Sequence, residues 1–210
     1  MSLTVGIYDF FAYTIPGAFY LIIVAYAASA FGLVKIDPAQ VNNVSLLGAL
    51  VLAGFAFVTG FLMDPLTRPW ASRFRDRDPE DHAFASFVNT NRSLKVNFSS
   101  SDWRILLRAV RLASQETAEQ TERHNAINIM LRNIGFGLLL LAIMYVAYFF
   151  LVALNIWNLL LAAACLWLSV VAEKESAKFS RWYYSSIFQA AAALSLKDHV
   201  WVEPAAAPDQ

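Results

Sequence analysis

Charged side chains vanish from three parts of this chain. No Asp, Glu, Lys or Arg occurs from Phe10 to Val34 or from Ala39 to Met63, 25 residues each, or from Asn133 to Ala172, 40 residues. A helix crosses the hydrocarbon core of a bilayer in about 20 predominantly apolar residues. Each of the first two stretches therefore predicts one span, over residues 8–34 and 43–63. The third, as a single helix, would reach roughly 60 Å, twice the membrane thickness. It has to turn back. Polar Asn155-Ile156-Trp157-Asn158 near its middle is the expected corner, giving spans over 133–154 and 157–172. Ala28-Ser29-Ala30 has the look of a signal-peptide cleavage site, but Asp9 stands where a basic leader belongs and the apolar run is too long. The first helix is expected to be retained.

Between and after the spans the pattern is polar with helical punctuation. In Asp64-Pro65-Leu66-Thr67-Arg68-Pro69-Trp70 the prolines are expected to stop the second helix. Ser99-Ser100-Ser101-Asp102 supplies N-cap chemistry, and no Gly or Pro interrupts Trp103 to Ile134. That predicts one straight helix running from the polar segment 64–132 into the third span. After Ala172 a further helix is expected over 173–203, with Phe179, Trp182, Tyr183, Phe188, Ala191 and Leu194 needing a partner. The stalk helix is the obvious one; an interfacial position for Trp182-Tyr183-Tyr184 is the alternative. Residues 204–210 are expected to be disordered. The predicted fold is an all-α membrane protein: four transmembrane helices, with a cytoplasmic helical domain built from the extension of the third span and the C-terminal helix.

Composition agrees: 58% hydrophobic and 15% charged, against about 45–50% and 25% for soluble domains. A single cysteine, Cys165, excludes a disulfide scaffold. Net charge is zero, sixteen basic against sixteen acidic side chains, yet the charges are unevenly placed. Residues 64–132 hold eleven Lys and Arg and the tail after Ala172 holds four, whereas the loop between the first two spans has only Lys35. The positive-inside rule then puts both termini and the 64–132 segment in the cytoplasm. Arg68, Arg73, Arg75 and Arg77 are opposed within their run only by Asp76, and Arg104, Arg108 and Arg111 share a helix face. Either set fits lipid headgroups or solvent, or a phosphate-bearing ligand held by arginine forks.

Motifs for chemistry are missing. His82, His124 and His199 have no metal-ligand spacing, and there is no phosphate loop or nucleophile elbow. No catalytic residue, metal or cofactor is expected, so the chain is not read as an enzyme. The charge-free spans offer no intramembrane carboxylate of the kind carriers use for coupling, which disfavours a carrier. They do offer small residues at packing distance: Gly48, Gly54 and Gly60 in the second span, and Pro16-Gly17 in the first. These fit packing within one copy or between copies. Around an oligomer axis, Asp9 and Tyr13, with Tyr8, Thr14 and Thr59, would line a narrow pore.

The opening Tyr8-Asp9-Phe10-Phe11-Ala12-Tyr13-Thr14-Ile15-Pro16-Gly17, of the form D-F-F-x-Y-x-x-P-G, precedes a second span ending Gly60-Phe61-Leu62-Met63-Asp64. With the four-span topology, this resembles small inner-membrane proteins of bacterial anti-phage defence loci, of Hailong, Kiwa or CRISPR-accessory type. The resemblance implies a bacterial inner-membrane location and a homo-oligomeric, channel-like effector gated by a nucleotide or oligonucleotide, or else a sensor that recruits a cytosolic partner protein. The seven arginines would then be the contacts for the anionic signal, with membrane lipids as the remaining partners.

Overall fold

In a computed structural model the described residues are 7–35, 45–74, 78–92, 94–152, 154–198 and 202–204. Among the described residues the regular structure is helical apart from one short two-stranded ladder. Helix α1 covers Ile7–Ala30 and α2 Leu46–Ala71; α3 covers Pro79–Thr90, and β1 Leu94–Val96. A 3-10 turn at Ser100–Asp102 leads into α4, Trp103–Ala113; then come α5, Gln115–Leu151, α6, Ile156–Asp198, and β2, Val202–Pro204. Four of these helices, α1, α2, α5 and α6, are long and apolar enough to cross a membrane. The protein is a multi-pass membrane protein by that criterion. It divides into two compact units, one of residues 1–74 and 126–176, the other of residues 75–125 and 177–210.

The first unit holds the apolar parts of the four long helices. Helices α1 and α2 pack closely because two glycines meet at their crossing. A Cβ on Gly17 would collide with the Ala56 carbonyl and come within 2.8 Å of the Gly60 nitrogen, and a Cβ on Gly60 would collide with the Tyr13 carbonyl. Tyr13 stacks edge-on against Phe57 and Phe61 beside this contact. The outer surface is apolar: Leu47, Leu50, Phe55, Leu62 and Leu66 of α2 are all exposed. In water that surface would be a liability; in a bilayer it is the lipid-facing side.

Three local expectations need correction here. Pro65 and Pro69 do not stop the second helix, which runs on to Ala71. Proline is tolerated in a membrane helix when other groups hold the turn. Between the two prolines Thr67 donates its hydroxyl to the Asp64 carbonyl at 2.8 Å, and Asp64 itself forms an ion pair with Arg132. The corner between the last two spans comes slightly earlier than expected, ending at Asn155. Its side-chain oxygen accepts from the Trp157 amide at 3.1 Å and so caps α6. Helix α6 then continues unbroken to Asp198, so no separate C-terminal helix begins after Ala172.

The second unit is built around aromatic rings. Phe87 of α3, Phe98, Leu106 and Val110 of α4, and Tyr183, Ile187 and Phe188 of α6 form its buried core. Phe98 stacks on Phe188 with ring centres 6.1 Å apart, and Phe84 meets Phe188 edge-on. Ser99 and Asp102 open α4 as expected, the Ser99 amide donating to the Asp102 carboxylate at 2.8 Å. The straight stalk is not found. At Ser114 the backbone turns extended (φ −153°, ψ 105°), ending α4. The Ser114 hydroxyl accepts from the Thr117 amide at 3.3 Å and starts α5. Arg111 pairs with Glu122, eleven residues on. An unbroken helix would hold that pair roughly 16 Å apart, so the fold-back is what brings them together. Strands β1 and β2 pair antiparallel, Lys95 opposite Glu203. The 173–203 stretch is therefore not helical to its end, and Pro204 belongs to a strand; 205–210, expected to be disordered, lies outside the described residues.

Candidate functional site

The residues that border the charge-free stretches converge inside the first unit. Asp64 follows the second stretch, Arg132 precedes the third, Asn133 opens it, and Glu173 follows it. All four are buried, Asn133 and Glu173 completely. Asp64 of α2 forms an ion pair with Arg132 of α5 and accepts from Asn133 Nδ2 at 3.3 Å. Asn133 Nδ2 also donates to the Ile129 carbonyl, 3.0 Å away. Tyr20 of α1 donates its hydroxyl to the Asn133 carbonyl at 2.6 Å. Helices α1, α2 and α5 therefore each contribute a polar or charged side chain to one buried cluster.

The α5–α6 seam extends it. Ser169 donates to the Gly135 carbonyl at 2.6 Å, and Ser176 donates to the Asn128 carbonyl at 3.1 Å. Between them Glu173 lies against Gly135, where an added Cβ would stand 3.0 Å from the carboxylate. Gly137 likewise makes room for the Phe19 and Tyr20 rings. The pattern was present in the sequence as two polar stripes of helical spacing, Asn128, Arg132, Gly135 on α5 and Ser169, Glu173, Ser176 on α6. Treating Asp64, Arg132 and Glu173 as span borders hid it. The expectation that no charge is buried among the spans is corrected accordingly. Arg132 Nε and Asn133 Oδ1 are buried without a hydrogen-bond partner among the described residues, so the network is not fully satisfied in this conformation.

No protein-family model, curated protein or solved structure matches the chain.

The described arginines are divided between the two units. Arg68 and Arg73 belong to the first unit, and Arg104, Arg108 and Arg111 to the second. Arg68 is exposed and stands 3.5 Å from Asp64. Arg73 lies over the Trp70 ring at 5.3 Å. Arg75 and Arg77 lie outside the described residues. On α4, Arg104 lies over the Trp103 ring at 5.1 Å and Arg108 is exposed. Arg111 is neutralised by Glu122.

The small and polar residues named for a pore all belong to the first unit and take different roles in it. Pro16, Gly17 and Gly60 are buried where α1 packs on α2, and Tyr13 sits at that contact. Gly48 donates its amide to the Ser45 cap, 3.1 Å away. Gly54 is exposed, with nothing within 4 Å of an added Cβ. Thr14 and Thr59 return their hydroxyls to the Phe10 and Phe55 carbonyls of their own helices. The Asp9 side chain lies outside the described residues. An apolar groove of about 400 Å³ runs between α5 and α6, lined by Ala142, Ile143, Val146, Ala162 and Leu166 among others. Among the described residues no His, Cys, Asp and Glu group is placed to hold a metal.

Proposed function

We propose that the protein is a homo-oligomeric, channel-like effector of a bacterial inner membrane, gated by a phosphate-bearing signal and acting in anti-phage defence. Both termini and the second unit are cytoplasmic in this reading, following the concentration of basic residues in 64–132 and the tail. The anionic signal, a nucleotide or oligonucleotide, is received on the cytoplasmic unit, where Arg104, Arg108 and Arg111 of α4 are exposed and Arg111 is paired with Glu122.

The observation that carries the reading is the Asp64–Arg132 pair with its partners Tyr20 and Asn133. Charged groups among membrane helices are expensive and accompany function. A buried ion pair gives little net stability over apolar residues of the same shape. A passive anchor gains nothing from it. A membrane protein with two helix arrangements does, because a partly satisfied polar cluster can exchange partners between states. The second reading is a sensor that recruits a cytosolic protein; exposed Val88 and Trp182 on the second unit favour it.

Ion flux from proteoliposomes of the purified protein separates the two. The effector conducts, and a panel of nucleotides and short oligonucleotides changes the rate; vesicles that stay tight under every ligand exclude it.

A further inference from the structure

We infer that α4 is a membrane-surface helix, docking on anionic lipid headgroups. The inference rests on the reading of α4 as an anion-binding face: lipid phosphate is its occupant at rest, and the nucleotide or oligonucleotide signal competes for the same arginines.

The helix has one covered and one open side. Leu106 and Val110 are buried in the core of the second unit, with Trp103 and Leu107 packed against it. At about 100° per residue, the open side is an arc of roughly 120° divided lengthwise. Arg104, Arg108 and Arg111 take one half and Ile105 and Leu112 the other. Ile105 is 61% and Leu112 92% exposed, and no acidic residue occurs between Trp103 and Ala113. Arg111, also exposed, is paired with Glu122, which leaves Arg104 and Arg108 as the cations of this face with no carboxylate partner among the described residues.

Two large aliphatic side chains beside two arginines on one open face suit one kind of surface. A solvated helix has no use for them, since Leu112 stands almost wholly in water. A nucleic-acid backbone would engage the arginines and leave Ile105 and Leu112 against its polar groove edge. An anionic bilayer uses both halves. Guanidinium forks pair with lipid phosphates, and the aliphatic tips enter the boundary between headgroup and acyl chain.

The test uses the full chain in nanodiscs, with Cys165→Ala and an environment-sensitive fluorophore at Leu112→Cys. Asn89→Cys, at an exposed position of α3, is the reference. With phosphatidylglycerol and shallow spin-labelled lipid, the probe at 112 is quenched and the probe at 89 is not. Pure phosphatidylcholine discs lose the effect. Each of Arg104→Gln and Arg108→Gln lowers the docked-to-undocked ratio about fivefold, and raised salt acts in the same direction. Equal quenching at 112 and 89, or quenching indifferent to both arginines, overturns the inference. If position 112 stays unquenched while an oligonucleotide binds the nanodisc-held protein through Arg104 and Arg108, the docking falls and the gated-effector reading stands. If neither lipid nor oligonucleotide depends on these arginines, both fall.

Discussion

Replacing Arg132 by methionine removes one side of the buried pair while keeping most of the side-chain volume. Asp64, only 7% exposed, would retain Asn133 Nδ2 at 3.3 Å and Arg68 at 3.5 Å. Breaking one partner of a buried ion pair costs about 3–5 kcal/mol. The Arg68 side chain is 70% exposed, so solvent screens it and its compensation is about 0–1 kcal/mol. Arg132→Met is therefore expected to cost about 3 kcal/mol. Asp64→Leu should cost about 4 kcal/mol, because a guanidinium cannot shed its charge by titration. The double variant Asp64→Leu/Arg132→Met removes both charges together and should lie close to wild type. At about 2–4 °C per kcal/mol for a chain of this size, the single variants lower Tm in detergent by roughly 6–16 °C. The chain's six tryptophans provide the fluorescence signal. Single variants within about 2 °C of wild type, or a double variant as unstable as the sum of the two, would refute the cluster's role.

Other outcomes follow from the same geometry. Gly60→Ala drives a methyl into the Tyr13 carbonyl and should cost about 1–3 kcal/mol, whereas Gly54→Ala, in open space, should be neutral or slightly stabilising; thermal scans compare the two. Phe188→Ala, fully buried in the aromatic core, should destabilise the second unit by about 3–5 kcal/mol, seen as faster amide exchange in α3 and α4 with the first unit unaffected. Hydrogen bonds from the Ser99 amide and hydroxyl hold the Asp102 carboxyl below its ordinary range. Their contribution to the start of α4 is present above that range and lost as pH falls through the lowered value. Protection factors at residues 99–105, taken relative to the intrinsic exchange rate at each pH, should fall on acidification, and Asp102→Asn should flatten the response.

The spans were legible because membrane burial demands long charge-free runs, and those runs are unambiguous in composition. The cap at Ser99–Asp102 was legible for a local reason, since its donors and acceptor are neighbours in sequence. The break at Ser114 was less so. No Gly or Pro marks it, and only the serine followed by Thr117 hints at a second cap. The buried cluster escaped because it is tertiary. Asp64 and Arg132 are 68 residues apart, and each taken alone looks like a charge at a helix end. Only the polar stripes on α5 and α6, read as facing surfaces, point to it. The glycines show the same limit: Gly60 and Gly54 share a helix and a residue type, yet one is a contact and the other is open.

The central claim is that this four-span protein conducts in response to a phosphate-bearing signal. Its most direct test is potassium release from proteoliposomes, for the wild type and for Asp64→Leu/Arg132→Met, with and without a panel of nucleotides and oligonucleotides. A gated effector gives a ligand-dependent rate in the wild type, and the doubly neutralised variant, folded but without its exchangeable pair, loses the dependence on ligand. Liposomes that remain tight for both proteins under every ligand, or a leak that no ligand changes, would contradict it.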